Sequence, residues 1–555
     1  MVERTIVADD DGLGPENPLT DKGFKPKLII WDLDDTLWRG ALAEGDDLVL
    51  DERRASFIRT LNRQGIVSAI CSKNDAAAAK AALESYGLWD EFVFPRIAFA
   101  PKGPTVRQMI GDMQLRPVNV LFVDDNPHNL REVAHAVPGI HVMDANSAAC
   151  DALLQKIADD HAHIRKSRVA DYRMLELRAG ERAQYAELSD EYFLMQSGIH
   201  ATVTYRSDSI EFVDRIEELI NRSNQLNYTE SRVEPGTLLP QASAVWHYEV
   251  MCAFVWDKYG YYGLVGVAVY DRRSRELLHF ALSCRIMHMG VEDYLLSQLA
   301  KRHGEIGLRR FRKPLPVQSA RAITHVHFFD LDIRERILTQ ETARDSSKLD
   351  IRIMADCQSG TIAHYSRFRE IMDFDNAPRF FSLPMLVQGC AAQDFPRHLV
   401  YTAALDYIEV TWENLLLRQD HLAYAHCVET FGEIIAGGNH KLLVFLPPLD
   451  APAEFYRDRA NGRNGHCFER QFAEFGNNLW QRLAARYPGQ ITCIDQTGDL
   501  RSEDMVDTNH YLPSALMSMA AMVDDWYEMQ TGSSDTRPVS GPAVQVSNAS
   551  DALRD

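Results

Sequence analysis

Near the start of this 555-residue chain, the run Leu28-Ile29-Ile30-Trp31 leads directly into Asp32, Leu33, Asp34, Asp35 and Thr36. Such an apolar run reads as a parallel strand buried on both faces. Acids crowded at the end of a buried strand cost stability unless a cation or donors compensate them. The carboxyl ends of strands are also where open α/β sheets bind ligands. Magnesium, a hard ion suited to carboxylate oxygen, is the natural compensator. Taken alone, this stretch has a competing reading as an acidic turn whose aspartates cap a helix.

Three further groups follow in order. The apolar run Ile66 to Ile70 ends in Cys71-Ser72-Lys73-Asn74, Lys102 lies in the loop APKGPTV before a helical pattern, and Val118 to Val123 ends in Asp124-Asp125-Asn126. Acid pair, hydroxyl, lysine and acid pair, each at or beside a strand end, resemble the haloacid dehalogenase (HAD) superfamily of phosphoryl-transfer enzymes. A carboxylate attacks phosphorus only when a metal and a lysine offset the charge on the phosphoryl oxygens. The resemblance implies Asp32 as nucleophile and Asp34 as general acid and then base. It implies magnesium held by Asp32, Asp124 and the main-chain carbonyl of Asp34. Ser72 would donate to a phosphoryl oxygen, Lys102 would offset its charge, and Thr36 and Asp125 would support the metal ligands from behind.

The phrases WDLDDTLWRG, ICSKND and LFVDDNPHNLREV are similar to FkbH-type proteins. That resemblance implies a glyceryl transferase that captures the acyl unit of 1,3-bisphosphoglycerate as a thioester. Its phosphate is removed, and the glyceryl group is loaded onto the 4'-phosphopantetheine of an acyl carrier protein in polyketide or related biosynthesis. Cys71 is then the candidate acyl-accepting thiol, with Lys73 placed to lower its pKa. A buried cysteine acting as a small hydrophobe is the equal alternative. A plain phosphatase acting on a small or carrier-bound phosphoester is the second functional reading.

Elements that would position these groups are legible around them. ERRASFIRTLNRQG spaces its apolar residues for a helix ending at Gly65, and NDAAAAKAALESYG suits a helix closing at Gly87. Phe92 to Phe94, Val120 to Val123 and GIHVMDA add strands. Residues 25–150 thus read as a doubly wound, mostly parallel α/β domain. About forty residues separate the first two motifs, which leaves little room for an inserted cap. Residues 151–180 read as a charged helical connector.

Over 181–345 the order strand, helix, strand, hairpin, strand, strand, helix, with NRSNQLNYT and SCRIMHMGVE, resembles a GNAT-like acyltransferase module. It implies a pantetheine or coenzyme A loop from Arg285 to Gly290. His288 stands where the usual loop has its first glycine, and a Cβ there blocks phosphate approach or forces a different loop path. A degenerate docking platform is the other reading. The basic stretch RFRKPLPVQSARA is a candidate surface for an acidic carrier.

Over 346–530 the runs LPMLVQGC, LDYIEVTW, KLLVFLPP and QITCIDQT read as four strands of a third α/β domain. Asp507-x-x-His510 before the final helix resembles SGNH-type hydrolases, in which the Asp orients the His for a serine. The loop QGCAAQD holds no serine, so Cys390 is the candidate substitute and Asn414 an oxyanion candidate. Asp507 as a helix cap, His510 as a satisfied histidine and both later domains as non-catalytic docking modules are the alternatives. Asp356-Cys357-Gln358-Ser359-Gly360 reads as an ordinary turn.

The formal charge of -20 argues against nucleic acid and anionic membrane as partners. Nine cysteines, an odd number without a CxxC pair, read as reduced thiols. With no signal-like N-terminus and no run of membrane-spanning length, the expectation is a cytoplasmic protein. Residues 1–24 and 531–555, rich in Gly, Pro, Ser and Asp, are expected to be disordered tails.

Overall fold

The computed structural model describes residues 24–532 except 165, 186, 188, 246, 317–321, 343–347, 375–379, 381, 452–467 and 507–508. The expected tails therefore lie outside the described residues but for Phe24, Thr531 and Gly532. Contacts divide the chain into two compact units, residues 1–198 with 257–262, and residues 199–256 with 263–555.

The first unit is built on a five-stranded sheet in the order Phe92–Ile97, Val67–Ser72, Leu28–Trp31, Val120–Asp124, His141–Asp144. Every neighbouring pair is parallel. All four residues of the central strand are fully buried, because helices cover both faces. Ile29 and Trp31 pack with Phe57, Ile58, Leu61, Leu83 and Leu154 on one side. Leu28 and Ile30 pack with Val106, Met109, Ile110, Val133 and Leu175 on the other. Each such side chain contributes about 1.5–3 kcal/mol of burial. That burial makes the strand a fixed rail for the acids that follow it.

Helix Glu52–Arg63 starts at the Asp51 cap and is followed by Gly65 at φ 81°, while Ala76–Ser85 starts at Asp75 and is followed by Gly87 at φ 62°. Both helices run where the periodicity and caps place them. Between Asp35 and Val67 the chain makes only a short antiparallel pair, Trp38–Arg39 with Val49–Leu50, one 3-10 turn and the helix Glu52–Arg63. No cap domain intervenes. Helices Ala148–Asp160 and Val169–Gln184 follow the sheet.

The second unit holds two sheets. One runs Glu276–Leu282, Gly260–Asp271, Tyr248–Asp257, Ile199–Thr204, Ile323–His325, with the last pair parallel. The other runs Met372–Asp373, Ile351–Met354, His398–Thr402, Lys441–Leu446, Ile491–Asp495, parallel throughout. Tyr365 donates to Ser243 at 3.4 Å and Arg369 pairs with Asp214 at 3.6 Å, joining the layers of the two sheets.

Two of the four strands expected here are helical instead. LPMLVQG forms the helix Leu383–Gly389, with Pro384 in its first turn, where a missing N–H costs nothing. LDYIEVTW breaks into a 3-10 turn, Ala404–Tyr407, and the helix Glu409–Asn414. The first strand of this sheet is Ile351–Met354, and its third is His398–Thr402. A short apolar run carries no period that separates a buried helix from a buried strand. Among the described residues, no helix is long and apolar enough to cross a membrane.

Candidate active site

Three neighbouring strands of the first sheet deliver the expected groups to one end. Leu28–Trp31 ends at Asp32, whose N–H donates to Val123 O at 3.0 Å. Val67–Ser72 delivers Cys71 and Ser72, and Val120–Asp124 delivers Asp124. Lys102 is the first residue of helix Lys102–Asp112 and is 2% exposed. Its Nζ lies 2.8 Å from Asp32 Oδ1 and 2.6 Å from Asp124 Oδ2. A lysine this buried requires paired charge, and the two carboxylates supply it.

Carboxylate oxygens of Asp32, Asp124 and Asp125 lie within 4.8 Å of one another. Burial, with the charge of Asp124, raises the Asp32 carboxyl against the opposing pull of Lys102. Asp125 is pushed up to about 6 by burial and by the charges of Asp124 and Asp32. Lys102 is raised: burial pulls it down, but Asp32 and Asp124 outweigh that pull. Three carboxylates against one ammonium leave a surplus of negative charge. A hard oxygen donor set of this kind fits a divalent cation such as magnesium.

Asp34 does not join the carboxylate cluster. Its Oδ1 accepts from Trp38 Nε1 at 2.9 Å and Leu42 N at 3.2 Å, and its Oδ2 from Asn74 Nδ2 at 3.1 Å. The main-chain carbonyl is then the ligand Asp34 would offer. Asp125, expected to stand behind the ligands, supplies the third clustered carboxylate instead. Thr36 is buried and its Oγ1 has no hydrogen-bond partner. Ser72, 3% exposed, hydrogen-bonds Asp32 and lowers its pKa.

Two asparagines complete the site. Asn74 donates to Ser72 Oγ at 3.2 Å as well as to Asp34. Asn129 donates to both Asp124 oxygens, at 3.1 and 3.3 Å, and accepts from Lys73 Nζ at 3.0 Å. Asn74 lies in ICSKND and Asn129 in DDNPHN, each a few residues after a strand end. The spacing of Asn129 five residues after Asp124 was a local signal; the reach of Asn74 to Asp34 was not.

Lys73 is therefore turned to Asn129 rather than to Cys71. Cys71 is 2% exposed and packs with Val67, Val93, Met109 and Phe122. Burial pushes its thiol up to about 12, with Lys102 only partly offsetting it. In this fold Cys71 packs as a small hydrophobe.

In the second unit, the loop Arg285 to Gly290 leads into helix Val291–His303. Arg285 bonds the Ser283 hydroxyl through both N and Nε at 3.4 Å. His288 is exposed and adopts φ 63°, and Gly290 adopts φ 77°. The loop thus keeps a left-handed, glycine-like turn at His288 despite its Cβ.

Asp507 lies outside the described residues, and Asn414 is the last residue of helix Glu409–Asn414. Cys390 follows helix Leu383–Gly389 and packs with Met354, Leu386 and Tyr401, on one face of the third sheet. Tyr511 packs with Ile353, Val400 and Phe445 on the opposite face. The loop QGCAAQD is therefore not the turn after the sheet's first strand; Ala355 to Gln358 is. His510 is buried and acts electrostatically on Asp356 in that turn.

No family model matches the chain, and no curated protein matches it. Among solved structures, the N-terminal part of a Bacteroides fragilis protein, containing a phosphatase domain and complexed with Mg, aligns over 26% of this chain at 22% identity, TM-score 0.21. This chain spans 42% of that structure. The 3-deoxy-D-manno-octulosonate 8-phosphate phosphatases of Yersinia pestis and Moraxella catarrhalis, the latter with magnesium, phosphate and KDO, align over 26% and 25% of this chain. Their identities are 18% and 14%, their own coverage 88% and 90%, and their TM-scores 0.20. Likenesses this low say nothing of what this chain does.

Proposed function

We propose that the chain is a magnesium-dependent phosphoryl-transfer hydrolase of the haloacid dehalogenase type, with Asp32 as nucleophile. One observation carries this reading: a lysine buried between Asp32 and Asp124, beside a third carboxylate, all at the ends of adjacent parallel strands. Asp32, Asp124 and Asp125 would hold the cation, which when bound neutralises phosphoryl oxygens.

The Asp32 carboxylate attacks phosphorus, and the bond to the leaving oxygen breaks as Asp34 supplies that oxygen with a proton. Ser72 donates to a phosphoryl oxygen, and Lys102 offsets the negative charge. Asp34 then takes a proton from water, which releases phosphate and restores Asp32. With p-nitrophenyl phosphate and magnesium, Asp32→Asn is expected to lower phosphate release by at least about 10³-fold. Wild-type turnover surviving in Asp32→Asn sinks the assignment.

Within this reading, the finer proposal is that the substrate is a phosphoglyceryl acyl unit such as 1,3-bisphosphoglycerate, loaded onto an acyl carrier protein. The GNAT-like and SGNH-like modules then serve as docking or transfer partners. The site's lack of a cap domain supports a large or carrier-tethered substrate. Acyl capture on Cys71 requires the buried thiol to open. Intact masses after incubation with magnesium, 1,3-bisphosphoglycerate and holo carrier protein decide the matter. A glyceryl adduct on the carrier, lost in Asp32→Asn and Cys71→Ala, supports transfer; phosphate release with no adduct leaves the plain phosphatase.

A further inference from the structure

The turn after the first strand of the third sheet carries groups that the phosphatase reading does not use. From Ile353 to His364 every residue is buried except Cys357, which is half-exposed. The turn lies at the carboxyl end of Ile351–Met354, flanked by parallel strands on both sides. Ligand sites of open parallel sheets collect at such ends.

Asp356, just before the thiol, is held at φ 46° and is 5% exposed. A non-glycine residue rarely adopts the left-handed region and persists there where the surroundings impose it. The surroundings do impose it here. Ser359 Oγ accepts from Ala355 N at 2.8 Å and donates to Asp356 O at 3.0 Å. That hydroxyl is committed to backbone bonds, which leaves the neighbouring thiol as the nucleophile of the turn.

Gln358 joins this turn to a segment 151 residues away. Its Nε2 donates to Asn509 O at 2.7 Å, and its Oε1 accepts from Tyr511 N at 2.8 Å. His510 is gripped between those two bonds. Asp356 Oδ1 accepts from Gln358 N at 3.2 Å. The Cys357 and Asn509 side chains and the charge of His510 all act on that carboxyl. A partly exposed thiol and a clamped imidazole thus both act on one buried carboxyl at this strand end.

We propose that Cys357 and His510 form a second, acyl-accepting site for activated acyl thioesters, with Asp356 positioning the pair. The Cys357 proton passes to the His510 imidazole as Sγ forms a bond to the acyl carbon. The bond from that carbon to the leaving sulfur breaks, and the leaving thiolate takes the proton back. An acyl-cysteine and a free thiol result, with no oxidant or reductant. This site replaces Cys390 as the partner of His510.

The test treats the full chain with the acetyl thioester of N-acetylcysteamine and maps acetylation by peptide mass. Cys357 is expected to acetylate at least about 10-fold faster than Cys284, Cys390 and Cys493, the other partly exposed cysteines among the described residues. His510→Gln should slow the Cys357 rate at least about 10-fold. Gln358→Leu, which unclamps the histidine, should slow it as well, with circular dichroism confirming that each variant is folded. Equal rates at these four cysteines in the wild-type chain overturn the proposal, and so does an unchanged rate in folded His510→Gln. The probe carries no phosphate, so its result is independent of the Asp32 reading.

Discussion

At the residue scale, the buried ammonium of Lys102 is the point on which the first site balances. It is the only cation in contact with both Asp32 and Asp124 among the described residues. Removing one partner from a buried charge cluster leaves uncompensated charge, which costs about 3–5 kcal/mol. Lys102→Met should lower stability by that order in chelator, measured by urea unfolding. Magnesium should then restore more of the midpoint in the variant than it adds to the parent. Equal magnesium increments in the two proteins would mean that the carboxylates are not competing for cations at one place.

At the element scale, two features hold sites in position from a distance. Helix Lys102–Asp112 approaches helix Pro127–Ala136 so closely that a Cβ on Gly103 would meet Ala136 Cβ at 2.7 Å and Glu132 O at 3.1 Å. Gly103→Ala should therefore push Lys102 off its two carboxylates, costing about 1–3 kcal/mol and most of the phosphatase rate. A variant with normal activity would show that the lysine is placed by something other than this packing. In the third sheet, Asp406 accepts from Leu383 N at 2.8 Å, Tyr401 Oη at 2.7 Å and Tyr424 Oη at 3.0 Å.

Burial nevertheless pushes the Asp406 carboxyl up to about 7, against those stabilising bonds. The folded form therefore keeps a proton that the unfolded chain has lost above about pH 4. Stability from this group is greatest at low pH and declines as pH rises toward 7, by a few kcal/mol. Asp406→Asn cannot titrate. The stability difference, parent minus variant, should shrink between pH 5 and 8 in denaturant titrations, and a constant difference refutes the assignment.

At the scale of the whole molecule, each of the two compact units has its own buried cores. Units of this kind unfold as separate cooperative steps when little links them. Calorimetry is expected to resolve two transitions, with magnesium raising only the one that Lys102→Met lowers. A single transition that moves as a whole with magnesium would show that the units are energetically one.

The residues alone determined the first sheet and most of its site. A buried strand that ends in acids is a local pattern: Asp32, Ser72 and Asp124 stand at strand ends, and Lys102 opens a helix. Sequence did not separate Asp34 from Asp125, because which carboxylate turns inward depends on Trp38, Leu42 and Asn74 reaching Asp34. It left Cys71 open between nucleophile and core, and only the packed fold shows the thiol buried among Val67, Val93, Met109 and Phe122 on one face of the sheet. In the third sheet, LPMLVQGC offered an apolar run without a period, and the thiol was sought beside it. The turn that reaches the His510 segment is instead the one holding Cys357, 153 positions earlier, tied to it by Gln358 bonding the main chain on either side of the histidine. Local spacing carries information about side chains on one element. Pairings between elements so far apart in sequence are fixed only when the sheet packs and closes the distance.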